Sequence, residues 1–398
     1  TITMRDVIKN PPPLVKINPV AAIPGSPKVK VCYNIKSMGG GIGEVRLFHN
    51  GKLIESDGYY REAAKTAIEK SQLATLDSRA IYADMRSVKI KDGAALSSTV
   101  DTRVKGEEFN ECREVDAVSG ENEISIAAFN KENTVQSYLQ TEKFTSALKP
   151  DDAHLYILSI GIDRYRDKAI DLKYAVKDSR DIKEKIMRQA SSVYKPENIH
   201  TELLTDGNAT KSNIKDKIAA LAAKIKPADS FIFFAAGHGV LLQNQYYMLT
   251  CEYDGRGTDA NLISSNEIVD ISKKIKSLSQ LFIFDTCHAG GVDYLVTGLY
   301  DARMSVLAKK MGLHIYASAS GRQAAMDGYK GNGLFTHVLL DGLNNNRAAD
   351  KNRDGKVSIV GLGEYSKKMT VNISRQIGHE QTPIIINFGK DRSLYKIP

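Results

Sequence analysis

The stretch "LFIFDTCHAGG", residues 281–291, begins with four apolar, β-prone residues and ends in Asp285, Thr286, Cys287, His288 and a Gly290–Gly291 pair. A short apolar run of this kind is what a strand buried on both faces of a sheet requires. A second run, "DSFIFFAAGHG" (229–239), ends in Gly237–His238–Gly239, and "HLYILSIGI" (154–162), "NIHTELLT" (198–205) and "HIYASAS" (314–320) read as further strands. Between them the apolar residues take the helical period. Helices are expected from about Ala175 to Ala190, over Lys211–Ile225 with Ile214, Ile218, Leu221 and Ile225 on one face, and over Leu334–Leu343. This alternation predicts an α/β unit over residues 153–398, a mostly parallel sheet with helices on both faces. Ligands of such sheets bind beyond the carboxyl ends of the strands. His238 and Cys287 both fall there.

The first 145 residues have a different pattern. "LVKINP" (14–19) and "KVKVCYNIKS" (28–37) alternate as strands do, and "GEVRLFHNGKLI" (43–54) is a hairpin turning at Asn50–Gly51. "NECREVDAV" and the segment from Asn122 to Phe144 give more strands, with Gly120–Glu121–Asn122 as a turn. Residues 59–90, rich in Ala, Glu, Lys and Arg, read as part of an inserted segment near 59–105. The plan is an all-β, immunoglobulin-like β-sandwich over residues 1–145, without the Cys–Trp–Cys signature and indeed without any Trp. A linker follows at residues 142–152, and "NPPPLV" (10–15) reads as a stiff connector.

Composition narrows the function classes. The 398 residues are 42% hydrophobic and 26% charged, as in a globular protein. The net charge of +8 is scattered among acids, with no basic block, zinc-finger spacing or RNA-binding aromatic signature, so no nucleic acid is expected as a partner. No apolar stretch is long enough to span a bilayer, so no membrane partner is expected, and the chain opens at Thr1 with no signal-peptide pattern. The four cysteines, Cys32, Cys112, Cys251 and Cys287, form no CxxC pair. Cys32 and Cys112 are read as two buried free thiols in preference to a bridge between two strands, which favours a reduced, cytoplasmic protein.

Nucleophilic catalysis by a thiol needs an imidazole beside it and N–H donors aimed at the oxyanion. Cys287 is the candidate nucleophile and His238 the candidate acid/base. Gly237 and Gly239 let the backbone turn around the imidazole, and the N–H groups of Gly239 and Cys287 are the candidate oxyanion donors. "FFAAGHG" and "FIFDTCHAGG" resemble the His and Cys motifs of the caspase/metacaspase superfamily (peptidase family C14), as found in bacterial caspase-like peptidases. The likeness continues in "LSIGIDRY", "LKYAVKDSRDI", "YASASGRQAAMD" and "GNGLFTHVLLDGL", over roughly residues 153–390. The first 145 residues also resemble the immunoglobulin-like domain that precedes such peptidase domains in some bacterial proteins.

The resemblance implies a caspase-like fold and a His238–Cys287 dyad that needs no cofactor; His288 is expected to point elsewhere. Caspases that cut after aspartate carry a glutamine two residues before the nucleophile, where this chain has Asp285. Asp178 matches a second acidic pocket residue of metacaspases. Two carboxylates imply a polypeptide substrate with Arg, then Lys, before the scissile bond, and discrimination against Asp. The alternatives are helix-surface solvation for Asp178 and capping of the following turn for Asp285. Asp327 stands by a loop that the family uses near its cleft, either for binding or as a plain turn. Arg303, Lys309 and Lys310 offer sites for self-processing.

"DKNRDGKVSIVG" (350–361) matches the start of a calcium loop through Asp350, Asn352, Asp354 and Gly355, but its twelfth position is Gly361 and Glu364 comes late. Calcium (Ca2+) and a metal-free turn both remain open there. The reading is a cysteine endopeptidase, with a β-sandwich that docks a protein partner or an upstream domain. A caspase-like scaffold without catalysis is the competing class.

Overall fold

The computed structural model describes residues 4–57, 75–77, 89–91, 105–150, 152–242, 245–286, 313–319 and 323–398. It divides into two compact units, one strand-rich and one α/β.

In the strand-rich unit, Leu14–Ile17, Ala21–Ala22 and Glu108–Asp116 pair with Lys28–Lys36, all antiparallel. A second antiparallel sheet runs Gln140–Ser146, Gly120–Ala128, Val45–His49, Lys52–Asp57. Alternation along Lys28–Lys36 turns Val29, Val31, Tyr33 and Ile35 inward, where they share one apolar cluster with Val45, Leu47, Ile124 and Ile126 of the other sheet. The hairpin turns at Asn50–Gly51, both at positive φ (47° and 82°), as a two-residue connection matched to strand twist demands.

Two expectations need correction in this unit. Gly120–Glu121–Asn122 is the start of a strand, and the turn lies just before it. Asn122 had the composition of a turn residue because its side chain shapes that turn, accepting from Val118 N and donating to the carbonyls of Val118 and Gly120. Cys32 and Cys112 are not free thiols but a disulfide. They sit directly opposite each other on neighbouring antiparallel strands, with Cα atoms 4.0 Å apart.

The α/β unit is built on a six-stranded sheet. Its strands are β1 (Leu155–Gly161), β2 (Ile199–Thr205), β3 (Ser230–Gly237), β4 (Ser279–Thr286), β5 (Leu313–Ala317) and β6 (Ile384–Phe388), in the order β2-β1-β3-β4-β5-β6. The first five are parallel, and β6 runs antiparallel to β5. The helices are α1 (Ala175–Ala190), α2 (Lys211–Ala222), α3 (Ser265–Lys274), α4 (Leu334–Gly342) and α5 (Ile359–Gln376). Helix α2 ends three residues earlier than its apolar period implied, although Ile225 is still buried.

One face of the sheet offers Leu155, Ile157, Ile232, Phe234, Leu281 and Ile283 to a cluster with Ile182 and Ile186 of α1, Phe335 and Val338 of α4, and Leu362 of α5. Alternation sends Phe231, Phe233, Phe282 and Phe284 to the opposite face, where their rings pack on one another. Burying each ring contributes about 1.5–3 kcal/mol. Both faces are therefore dry, and polar groups that must meet a substrate are left to the strand ends. Just beyond β3, Gly239–Leu242 starts a small antiparallel sheet with Gln245–Leu249 and Leu262–Ser264. No helix among the described residues is long and apolar enough to cross a membrane.

Candidate active site

Strands β3 and β4 end level with each other, because their register pairs Ala236 with Asp285 and Gly237 with Thr286. The next residues along the chain are His238 and Cys287. Cys287, His288, Gly290, Gly291, Arg303, Lys309 and Lys310 lie outside the described residues. Thr286, immediately before the thiol, is anchored twice: its hydroxyl pairs with Tyr246 Oη at 2.7 Å, and its carbonyl accepts from Ser318 Oγ at 2.9 Å.

His238 is fully buried. Its Nε2 lies 2.6 Å from the carbonyl of Ile170, in the loop joining β1 to α1. A carbonyl can only accept, so Nε2 carries the proton, and in the neutral ring Nδ1 holds the lone pair. The backbone N–H of His238 donates to Tyr165 Oη at 2.9 Å, and the Tyr165 ring packs against the imidazole with centroids 5.1 Å apart. At Gly237 φ is +155°, and a Cβ there would stand 2.8 Å from Tyr165 Oη, so only glycine fits.

Gly239 opens the ladder with Gln245–Leu249. Leu249 N bonds the carbonyl of His238, and hydrogen-bonded positions alternate, so the Gly239–Met248 pair is a non-bonded one. The Gly239 N–H therefore points away from the ladder, as an oxyanion donor must.

The two carboxylates expected to read the substrate converge on one segment, Asn332–Thr336. Asp178 is fully buried in the first turn of α1, which removes the solvated-surface alternative. It accepts from Gly333 N, at 3.0 and 3.2 Å, and from Asn332 Nδ2 at 2.8 Å. Asp285, also fully buried, accepts from Thr336 N at 3.2 Å and Thr336 Oγ1 at 2.5 Å. Through Thr336 it caps the start of α4, while the turn after its own strand lies outside the described residues. Both carboxylates thus sit at the N-terminus of α4, where free backbone N–H groups stabilise negative charge.

Asp327 has a different task, its Oδ2 accepting from Lys173 N at 3.0 Å and fastening the β1–α1 loop. Asp163 in that loop is pushed above the usual carboxylate range by burial, against which the N–H groups of Val176 and Ala175 act, with Asp206 and Asp327 adding repulsion.

The 350–361 loop departs from an EF-hand at its last ligand position, Gly361. Asp350 turns both carboxylate oxygens onto Asp354 N (3.2 Å) and Gly355 N (2.9 Å), and Asp354 Oδ1 accepts from Lys356 N. At Gly361, where calcium needs a glutamate, a Cβ would meet the Ala349 carbonyl at 2.5 Å. Glu364 pairs with Lys351 instead. Among the described residues, no group of three or more His, Cys, Asp or Glu could hold a metal ion.

Sequence reasoning missed Tyr165, Ile170, Ser318, Gly333 and Thr336. Ile170 acts through its carbonyl, which leaves no trace in residue type. Tyr165, Ser318, Gly333 and Thr336 lie inside the quoted motifs "LSIGIDRY", "YASASGRQAAMD" and "GNGLFTHVLLDGL", the one signal that could have found them.

A sequence model of the caspase domain matches residues 155–389. Among solved structures, the chain is similar to a protein from Geobacter sulfurreducens at 15% identity, over 62% of this chain and 99% of that one, with a TM-score of 0.42. It is similar to caspase-1 from Spodoptera frugiperda at 13% identity, over 62% of this chain and 91% of that one, with a TM-score of 0.41. No curated protein matches it.

Proposed function

The chain belongs to the caspase-domain family over residues 155–389, and from that premise we propose that it is a cysteine endopeptidase working through His238 and Cys287. The observation that carries the reading is the fixed imidazole: Nε2 is spent on the Ile170 carbonyl, which leaves Nδ1 for the thiol. In this mechanism Nδ1 takes the Cys287 proton as sulfur attacks the scissile carbonyl. The oxyanion is met by the N–H groups of Gly239 and Cys287. The imidazolium then gives its Nδ1 proton to the departing amine, leaving an acyl-enzyme that water hydrolyses with Nδ1 again as base. The Ile170 carbonyl accepts from Nε2–H throughout and steadies the positive ring.

For specificity the reading is Arg, then Lys, before the scissile bond. Its support is the pair of buried carboxylates, Asp178 and Asp285, on one helix start, which favours a cation and repels an acidic side chain. Asp327 contributes through the loop that it fastens. Arginyl, lysyl and aspartyl peptide reporters, assayed with the protein and with Cys287→Ala, test both parts. Equal turnover by the variant ends the peptidase reading, and preference for aspartyl peptides ends the acidic-pocket reading. Self-processing after Arg303, Lys309 or Lys310 would give defined fragments in the same experiment.

We read residues 1–145 as an immunoglobulin-like docking domain, on the strength of two antiparallel sheets sharing one core. The Cys32–Cys112 bridge departs from the immunoglobulin pattern by linking neighbours within one sheet. A disulfide belongs in an oxidising compartment, so we propose that the chain folds there and not in the cytoplasm.

A further inference from the structure

His238 stands one residue past the end of β3, where the parallel ladder stops: Gly237 is the last residue paired with β4. Its N–H has thus left the sheet inside a fully buried site, where a donor without an acceptor costs free energy. The acceptor is a side chain, Tyr165 Oη at 2.9 Å. The phenol ring then lies against the imidazole, and its oxygen fills the space that a Cβ on Gly237 would need.

The loop that carries Tyr165 also carries Ile170, whose carbonyl takes Nε2–H. One loop therefore holds the histidine at two points, its backbone and its ring. That loop is pinned on several sides. Asp206 Oδ1 accepts from Asp163 N and Arg164 N, Asp171 Oδ1 accepts from Tyr165 N, and Arg166 N and Asp167 N donate to the carbonyls of Cys251 and Tyr253. With the ring tethered at Nε2 and the backbone at N, rotation about the His238 side chain has little freedom, and Nδ1 has one direction to face.

We infer that Tyr165 is a positioning residue for the acid/base, setting the direction of His238 Nδ1 through the backbone N–H. The inference rests on the peptidase reading of His238. Tyr165→Phe keeps the ring and removes the acceptor. Its kcat on an arginyl reporter falls about ten- to hundredfold, the range expected for an acid/base displaced by about an ångström. KM stays close to the parent's, because nothing that touches substrate has gone, and the thermal midpoint drops by about 2–8 °C, the cost of leaving one buried N–H unpaired in a fold that otherwise persists. Unchanged kcat, or a loss that merely follows the folded fraction, overturns the inference.

Hydrogen exchange at the His238 amide gives a readout independent of catalysis: exchange is faster in Tyr165→Phe, and equal protection in both proteins overturns the inference even in an active enzyme. If the parent cleaves nothing, the peptidase reading fails, while the exchange still reports whether Tyr165 grips the residue. Should Tyr165→Phe not fold, a fluorotyrosine placed at 165 weakens the acceptor without removing it. A smaller loss of kcat is then expected, and no loss overturns the inference.

Discussion

The two units bury charge in opposite ways. In the α/β unit the fully buried charged groups include the carboxylates Asp178 and Asp285, held by backbone N–H groups at the start of α4. In the strand-rich unit the buried charges include the cations Arg46 and Lys52. Arg46 is gripped by Glu44, the residue just before its strand, Nε to Oε1 at 2.8 Å and Nη2 to Oε2 at 3.0 Å, and lies over the Phe129 ring. Lys52 is pushed down to about 7 by burial.

The cause is backbone geometry. A helix start leaves N–H groups over, so it can hold a carboxylate. An antiparallel ladder uses its N–H groups internally, so a buried charge there needs a side-chain partner or sheds its proton. Buried carboxylates are accordingly held by backbone N–H groups at the helix start of the α/β unit.

The largest effect is expected where the strand-rich unit depends on a side-chain partner. Arg46→Met leaves Glu44 buried without its bidentate partner and should cost about 3–5 kcal/mol of stability in chemical denaturation. Adding Glu44→Gln should restore much of it. If the single variant is as stable as the parent, the pair does not balance the charge.

Next comes Asp285→Asn, which keeps an acceptor for Thr336 but removes the charge. Arginyl turnover should fall about ten- to hundredfold, the worth of a charge-assisted contact, with little change in thermal midpoint. Retained arginyl preference would show that the carboxylate only caps α4.

A smaller effect concerns pH. The folded Lys52 binds its proton more weakly than the unfolded one, so stability is lower below about pH 7 and rises as pH climbs toward the ordinary lysine range. Lys52→Met should flatten that rise; an unaltered slope would place its origin elsewhere. The smallest effect is none: chelating calcium should leave activity and midpoint unchanged, since Asp350 already satisfies its own loop.

What the sequence disclosed follows the same division. The central strands and α1 were legible because apolar runs and helical period are local properties. Helix α5 was not, because Gly361 and Gly363 dilute its signal. Both are there for contact: a Cβ at Gly363 would meet Ile385 at 2.7 Å and Tyr316 at 2.9 Å. The disulfide was misread because its cysteines are 80 residues apart, and their strands become neighbours only in the folded sheet. At the site, the residue types that do chemistry were visible, but their holders were not. Asp178 and Asp285 announced themselves as carboxylates, whereas the N–H groups of Gly333 and Thr336 and the carbonyl of Ile170 are common to every residue.

The most direct measurement is covalent. An arginyl fluoromethyl ketone and its aspartyl counterpart are incubated with the native protein, and the labelled peptide is identified by mass spectrometry. The arginyl reagent should modify Cys287 and no other thiol, while the aspartyl reagent leaves it largely free. An adduct on Cys251, no adduct at all, or faster labelling by the aspartyl reagent would contradict the account.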